Sequence, residues 1–308
     1  MFELGSTMQV FRPYPEVFAF YDGRLPGVRV HGPHGNWLDD GAFSLGTCSY
    51  AIVDGDEALV YDPQMSLNHA RIIRKTLAEA GYRKLRLVLS HWHTDHVAGN
   101  EVFQDFEIIA NRHTLQALKD NRHKLENDDP PIRPLILPTR IFDDSLALKV
   151  GELDVELRLV DIHSHDETVM LFPRQELLFA GDTLEDSVTY VSEPDRLAVH
   201  LSELDRLAKF SFSRIMPNHG DPGLIASGGY DRRLIAATKV YTAKLLKLAQ
   251  EPALAALPLA EFARDSFETG GAQYFEPYEA VHRHNVRAVQ KALGLEPDAV
   301  DPADTTTN

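Results

Sequence analysis

Four potential metal ligands stand within six residues, His91-Trp92-His93-Thr94-Asp95-His96, directly after an apolar run at residues 85–89. A chain that accepts this sequence must end a buried strand abruptly and gather imidazole and carboxylate groups at its tip. Zinc binds such groups, and catalytic zinc sites keep a position for water. Open α/β sheets place their ligands at the carboxyl ends of strands. Two histidines one residue apart splay on extended backbone. The segment is therefore expected to be a loop that turns both rings inward, with Asp95 and His96 opening the next helix. A solvated polar loop is the ordinary alternative. Four donors behind a buried strand argue against it.

Strand and helix patterns mix around this run. Residues 49–53 and 58–61 predict two strands joined at Asp54-Gly55-Asp56. Ser66 can cap a helix with Ala70, Ile73, Leu77 and Ala80 on one face and Gly81 as its stop. Residues 106–110, 146–150, 155–160, 168–172, 177–180 and 214–216 predict further strands. A polar helix is expected to end near Glu126, and another to span residues 194–209. Residues 26–46, rich in Gly and Pro, predict loops and short strands. After Gly229 the pattern turns helical over 230–250, 259–267 and 278–293. The expected organisation is a catalytic domain over 1–229, a helical segment packed on it over 230–297, and a disordered polar tail over 298–308.

Composition narrows the partners. Hydrophobic residues make up 44% of the 308, ample for a packed core without staples. Cys48 is the single cysteine, so nothing requires an oxidising compartment. A net charge of −15 repels phosphate backbones, and no nucleic-acid partner is expected. No apolar run is long enough to span a bilayer, so no membrane partner is expected either. The first residues, Met1 to Met8, lack a basic start followed by an apolar stretch. The expected setting is cytoplasmic. The expected partner is a small molecule, with room for a homodimer.

Three further segments carry donors at strand ends: Asp161-Ile162-His163-Ser164-His165-Asp166, Gly181-Asp182-Thr183 and Pro217-Asn218-His219-Gly220. Each alone is weak, because a single His or Asp at a strand end is usually structural. Their order and spacing behind His91-x-His93-x-Asp95-His96 is strong. With the segments Tyr50-Ala51-Ile52-Val53 and Val60-Tyr61-Asp62 upstream, the chain over about residues 45–225 resembles the metallo-β-lactamase fold superfamily. The resemblance implies an αββα sandwich with metals in a shallow groove along one edge of two sheets. It assigns His91, His93 and His163 to a first metal, Asp95, His96 and His219 to a second, and Asp182 to both. His163 is preferred to His165 because it keeps the register with the following apolar strand. An Asp at position 182 with His96 resembles the glyoxalase II and lactonase branches. The best-known subclass of true β-lactamases carries Cys there.

The resemblance implies a metal-dependent hydrolase with two zinc ions per chain, or iron or manganese in their place. A metal-activated hydroxide would attack a small ester, lactone, thioester or lactam, with Asp95 orienting it and accepting its proton. Acyl-homoserine-lactone lactonases carry a Tyr a few residues beyond the bridging Asp. Here Thr183, Leu184 and Glu185 follow, and Tyr190 comes later. His165, Tyr190, Tyr278 and His282 are candidate substrate contacts, the last two on helices that could fold over the groove. Two other classes stay open: a mononuclear iron oxygenase of the persulfide dioxygenase type, and a non-catalytic binding module.

Overall fold

The computed structural model describes residues 3–295; the polar tail expected over 298–308, with its disorder, lies outside them. Strands β1 (Gln9–Tyr14) and β2 (Val17–Asp22) form a hairpin that the sequence reading did not single out. A wide helical turn, Trp37–Phe43, follows inside the Gly/Pro-rich stretch, capped by the Asn36 side chain. Next come β3 (Thr47–Asp54), β4 (Glu57–Tyr61), α1 (Leu67–Glu79), β5 (Lys84–Val88) and the short α2 (Thr94–Val97). Then β6 (Glu107–Asn111), α3 (Arg112–Asp120), α4 (Arg122–Glu126) and β7 (Arg140–Phe142) complete the first half. These strands form one seven-stranded sheet in chain order.

The second half builds a six-stranded sheet, ordered β13-β12-β11-β10-β9-β8. Its strands are β8 (Ser145–Val150), β9 (Leu153–Ile162), β10 (Ser164–Phe172), β11 (Leu177–Gly181), β12 (Arg214–Pro217) and β13 (Tyr230–Asp231). Helices α5 (Leu197–Leu207) and α6 (Pro222–Ala226) interrupt them. Helices α7 (Arg233–Leu246), α8 (Leu259–Phe262), α9 (Arg264–Glu268) and α10 (Tyr278–Ala292) follow. None of the described helices is long and apolar enough to cross a membrane.

Alternation along the strands explains the layers. On β3, Cys48, Tyr50 and Ile52 join the core between the sheets, while Ala51 and Val53 join the core under α1. On β4, Leu59 and Tyr61 face one way and Ala58 and Val60 the other. A sheet buried on both faces needs such near-continuous apolar runs. Helix α1 buries Ala70, Ile73 and Leu77, and the Ser66 hydroxyl accepts from the His69 N–H at its start. Burial of Ile73 and of Leu77 contributes about 1.5–3 kcal/mol each.

Tyrosine hydroxyls tie the sheets together. Tyr50 donates to the Pro217 carbonyl and Tyr61 to that of Thr168, both at 2.5 Å. The boundary expected at Gly229 falls inside the second sheet, since Tyr230 pairs with Ile215. Leu234, Ile235 and Ala237 of α7 also enter the central core. Two paired residues are too short a strand to show in a pattern dominated by the helix after them.

Candidate metal centre

Beyond β5 the backbone leaves the sheet under control of Asp62. That residue sits past the end of β4 with a left-handed φ of 63° and accepts from the Ser90 N–H at 2.7 Å. The chain then turns through His91 and His93 into α2, whose first turn holds Asp95 and whose last holds His96. His163 lies between β9 and β10 with φ of 65°, a conformation a non-glycine residue adopts at a cost. Asp182 follows Gly181 at the end of β11, and His219 follows β12. The first sheet's half thus supplies four donors and the second sheet's half three.

All seven side chains named for the metals converge, in two groups: His91, His93, His163 and Asp182, and Asp95, His96 and His219. His93 Nδ1 lies 2.9 Å from His91 Nε2 and 3.0 Å from His163 Nε2. His219 Nε2 and His96 Nε2 lie 3.2 and 3.4 Å from Asp95 Oδ2. Asp182 Oδ2 touches both groups: it is 3.7 Å from His91 Nε2 and His163 Nε2, 3.2 Å from His96 Nε2 and 3.5 Å from His219 Nε2. Donors about 2.0–2.1 Å from one tetrahedral zinc stand about 3.3 Å apart. The observed separations straddle that value.

The outward nitrogens are fixed one by one. His163 Nδ1 faces the Tyr190 carbonyl at 2.9 Å and His219 Nδ1 that of Gly46 at 2.8 Å, so each donates outward. His96 Nδ1 lies 2.9 Å from Asp62 Oδ2, which also accepts from Asn218 Nδ2 at 2.6 Å. His91 Nδ1 lies 2.9 Å from Ser90 Oγ and 3.4 Å from Glu167 Oε2. A ring that donates its outer N–H presents a lone pair on the inner nitrogen, the tautomer a metal requires. His96 Nε2 and Asp182 Oδ1 are buried without a hydrogen-bond partner among the described residues. Buried polar atoms left in this way mark a place that a ligand would satisfy.

Electrostatics divides the two groups. Burial, with the neighbouring His96 imidazole, pushes His91 well below the usual range; burial and His163 do the same for His93. Burial opposes charge on His96 and His219 too, but Asp182 and Asp95 overcome it and push both well above. In the second group each imidazole thus faces carboxylates across 3.2–3.5 Å. Glu185, three residues past Asp182, is pushed up to about 8 by burial and by Asp182.

The other candidates are placed as follows. His165 points away from the donors, its side chain 40% exposed and its Nδ1 on Glu193 Oε1 at 2.5 Å. That carboxylate pushes the imidazole up. Tyr190 lies beside the centre, its ring centroid 6.1 Å from that of His163 and 4.3 Å from that of His284. Tyr278 and His282 do not form a lid. Tyr278 is 0% exposed and donates to Glu185 Oε2. His282 is 1% exposed between Tyr241 Oη and the Leu257 carbonyl. Aromatic side chains with polar tips pack inward when each tip finds a partner.

Glu167 and Glu185, both fully buried beside the donors, were missed by the sequence reading, as were the supporting roles of Asp62 and Asn218. Asp62 alone left a signal, an acidic residue ending the strand next to β5. A third group, Asp161, Glu193 and His200, stands apart. Arg196 already pairs with both of its carboxylates.

The sequence pattern of the Metallo-beta-lactamase superfamily matches residues 44–258. The chain belongs to that superfamily. A Beta-lactamase-like protein 2 homolog of Caenorhabditis elegans is 25% identical over 184 residues, 58% of each chain. An Atrochrysone carboxyl ACP thioesterase of Emericella nidulans is 25% identical over 178 residues, 57% of this chain and 52% of that one. The chain spans between half and three-fifths of the length of these relatives. Among solved structures, DIM-1 metallo-β-lactamase exposed to ceftazidime superposes with a TM-score of 0.57 at 18% identity, covering 77% of this chain and 96% of that one. A metallo-β-lactamase from Pontibacter korlensis gives 0.58 at 16% identity, covering 74% and 95%. Such identities speak to the fold alone, the two-sheet sandwich of this superfamily.

One substitution pair separates the neighbouring histidines. His163→Ala is expected to lose most of the affinity for one ion, because it deletes one of three imidazoles in the first group. His165→Ala is expected to keep parental metal content, because its ring pairs with Glu193 instead. Elemental analysis of both purified variants checks this, and the reverse ranking would exchange their roles.

Proposed function

We propose that the chain is a metal-dependent hydrolase of small acyl substrates that works with two ions, zinc being the metal best suited to the donors. One observation carries the reading: Asp182 Oδ2 lies within reach of imidazole nitrogens from both groups. A single carboxylate oxygen shared by two donor sets is what a bridging ligand requires. Bound there, two divalent ions would supply a water acidic enough to ionise near neutral pH and a Lewis acid for the carbonyl oxygen.

The chain's own residues supply the rest. Asp95 is the more exposed of the two carboxylates, 14% against 6% for Asp182. It would orient the attacking water and accept its proton. Trp92, whose ring centroid lies 4.8 Å from that of His93, and Tyr190 beside His163 would form apolar walls for an acyl group. No serine or cysteine nucleophile is needed. Alkoxide and thiolate leave more readily than amide nitrogen, so esters, lactones and thioesters should be cleaved faster than β-lactams. A relative that bears the name of a thioesterase supports this order. The net charge of −15 favours small acyl compounds over nucleic acid.

A panel of matched esters, lactones, thioesters, β-lactams and oligonucleotides, assayed with zinc-loaded protein, tests the reading. Acyl hydrolysis led by esters or thioesters is expected. Nucleic-acid cleavage without acyl hydrolysis would overturn the substrate class. One iron per chain with persulfide oxidation would replace the hydrolase by an oxygenase on the same fold.

A further inference from the structure

The C-terminal helix does not cover the groove, yet it reaches the donors by another route. Asn285 of α10 is fully buried. Its Oδ1 accepts from the Val191 N–H at 2.8 Å, and its Nδ2 donates to the Thr189 carbonyl at 3.0 Å and to Tyr241 Oη at 3.1 Å. One amide side chain thus pairs with the backbone on both sides of Tyr190, as a neighbouring strand would. Between those two anchors, the Tyr190 N–H donates to Glu185 Oε1 at 2.8 Å, and the Tyr190 carbonyl accepts from His163 Nδ1 at 2.9 Å. Ser192 Oγ also donates to the His163 carbonyl.

We infer that Asn285 is a positioning residue for the first donor group, acting on His163 through the backbone of residues 189–191. The argument is one of accounting. Residues 182–193 contain neither strand nor helix; a single turn of helix follows at Pro194–Arg196. Their backbone groups are buried and need partners from elsewhere. Asn285 supplies two of them, and the carbonyl so fixed is the acceptor that holds the His163 ring in its metal-binding tautomer. Partners of this kind, one step removed from the metal, usually account for about 10–100-fold in metal affinity. The second donor group is held by other elements: Asp95 and His96 sit on α2, Asp62 aligns His96, and the Gly46 carbonyl aligns His219.

This inference rests on the proposed metal reading, and the experiment separates the two. Metal-free protein is titrated with cobalt(II) and with zinc in three forms: parent, Asn285→Ala and Val289→Ala. Val289→Ala, at a site buried on the same helix in the core around Tyr241, loosens α10 without removing a hydrogen bond to residues 189–191, because the Val289 side chain has none to offer. The parent is expected to take up two ions. Asn285→Ala is expected to bind one of them about 10–100-fold more weakly, with the other unchanged. Val289→Ala is expected to bind both as the parent does, even where its melting temperature falls as far. Asn285→Asp, which keeps the acceptor for Val191, should recover part of the loss. A parent with two ions and an Asn285→Ala variant indistinguishable from it overturns this inference alone. Equal weakening in Val289→Ala also overturns it, by making the effect one of helix stability. A parent that binds no ion overturns the metal reading itself.

Discussion

Asp182→Ala is expected to empty both donor groups at once. The other donors serve one group each, whereas Asp182 Oδ2 lies 3.2–3.7 Å from imidazole nitrogens of both. Its loss also strands His96 and His219, whose pKa values Asp182 helps to push up. Metal content should fall from two ions to less than one, and turnover by at least about 1,000-fold, the upper end of what loss of one electrostatic stabiliser usually costs. His219→Ala removes a ligand from the second group only and should keep one ion. Elemental analysis and rate measurements on the two variants, side by side, check the asymmetry. Equal metal content in Asp182→Ala and the parent would remove that residue from the centre.

Chelation is expected to produce the largest change in stability. Without ions, five imidazoles and two carboxylates face one another in a buried site, with His96 Nε2 and Asp182 Oδ1 lacking partners. An ion held at about 1,000 times its dissociation constant stabilises the folded state by about 4 kcal/mol. For a chain of this size each kcal/mol moves the melting temperature by about 2 °C, so losing both ions should lower it by about 16 °C. Thermal unfolding of metal-free and zinc-reloaded protein measures this. Metal-free protein that melted and turned over like the parent would defeat the proposed function.

The donors were legible in the sequence because strand ends are. The first donor of each segment lies one to three residues past its strand: His91 after β5, His163 after β9, Asp182 after β11, His219 after β12. The register of the strand after it also separated His163 from His165. What surrounds the donors was not legible. Glu167 sits in Ser164-His165-Asp166-Glu167-Thr168, a run that looks like a solvated acidic turn. Its burial exists only once β10 lies between β9 and β11, where its carboxylate meets Gly181 and His91. The first hairpin hid behind Pro13 and Pro15, which resemble loop signals. Tyr278 and His282 misled for the opposite reason: polar tips suggested a groove, but helix α10 satisfies them within the protein.

The seam between the sheets has a consequence for how the centre comes into being. The chain passes from the first sheet to the second once, at Asp143-Asp144, and the donors are divided across that crossing. Neither half alone holds a complete set: one has His91, His93, Asp95 and His96, the other His163, Asp182 and His219. Even the carboxylate that aligns His96 is shared, since Asp62 takes a hydrogen bond from Asn218 across the seam. A bound ion would therefore behave as a rivet rather than a seed. It cannot organise either half in isolation, but once the halves have closed on each other it resists their parting.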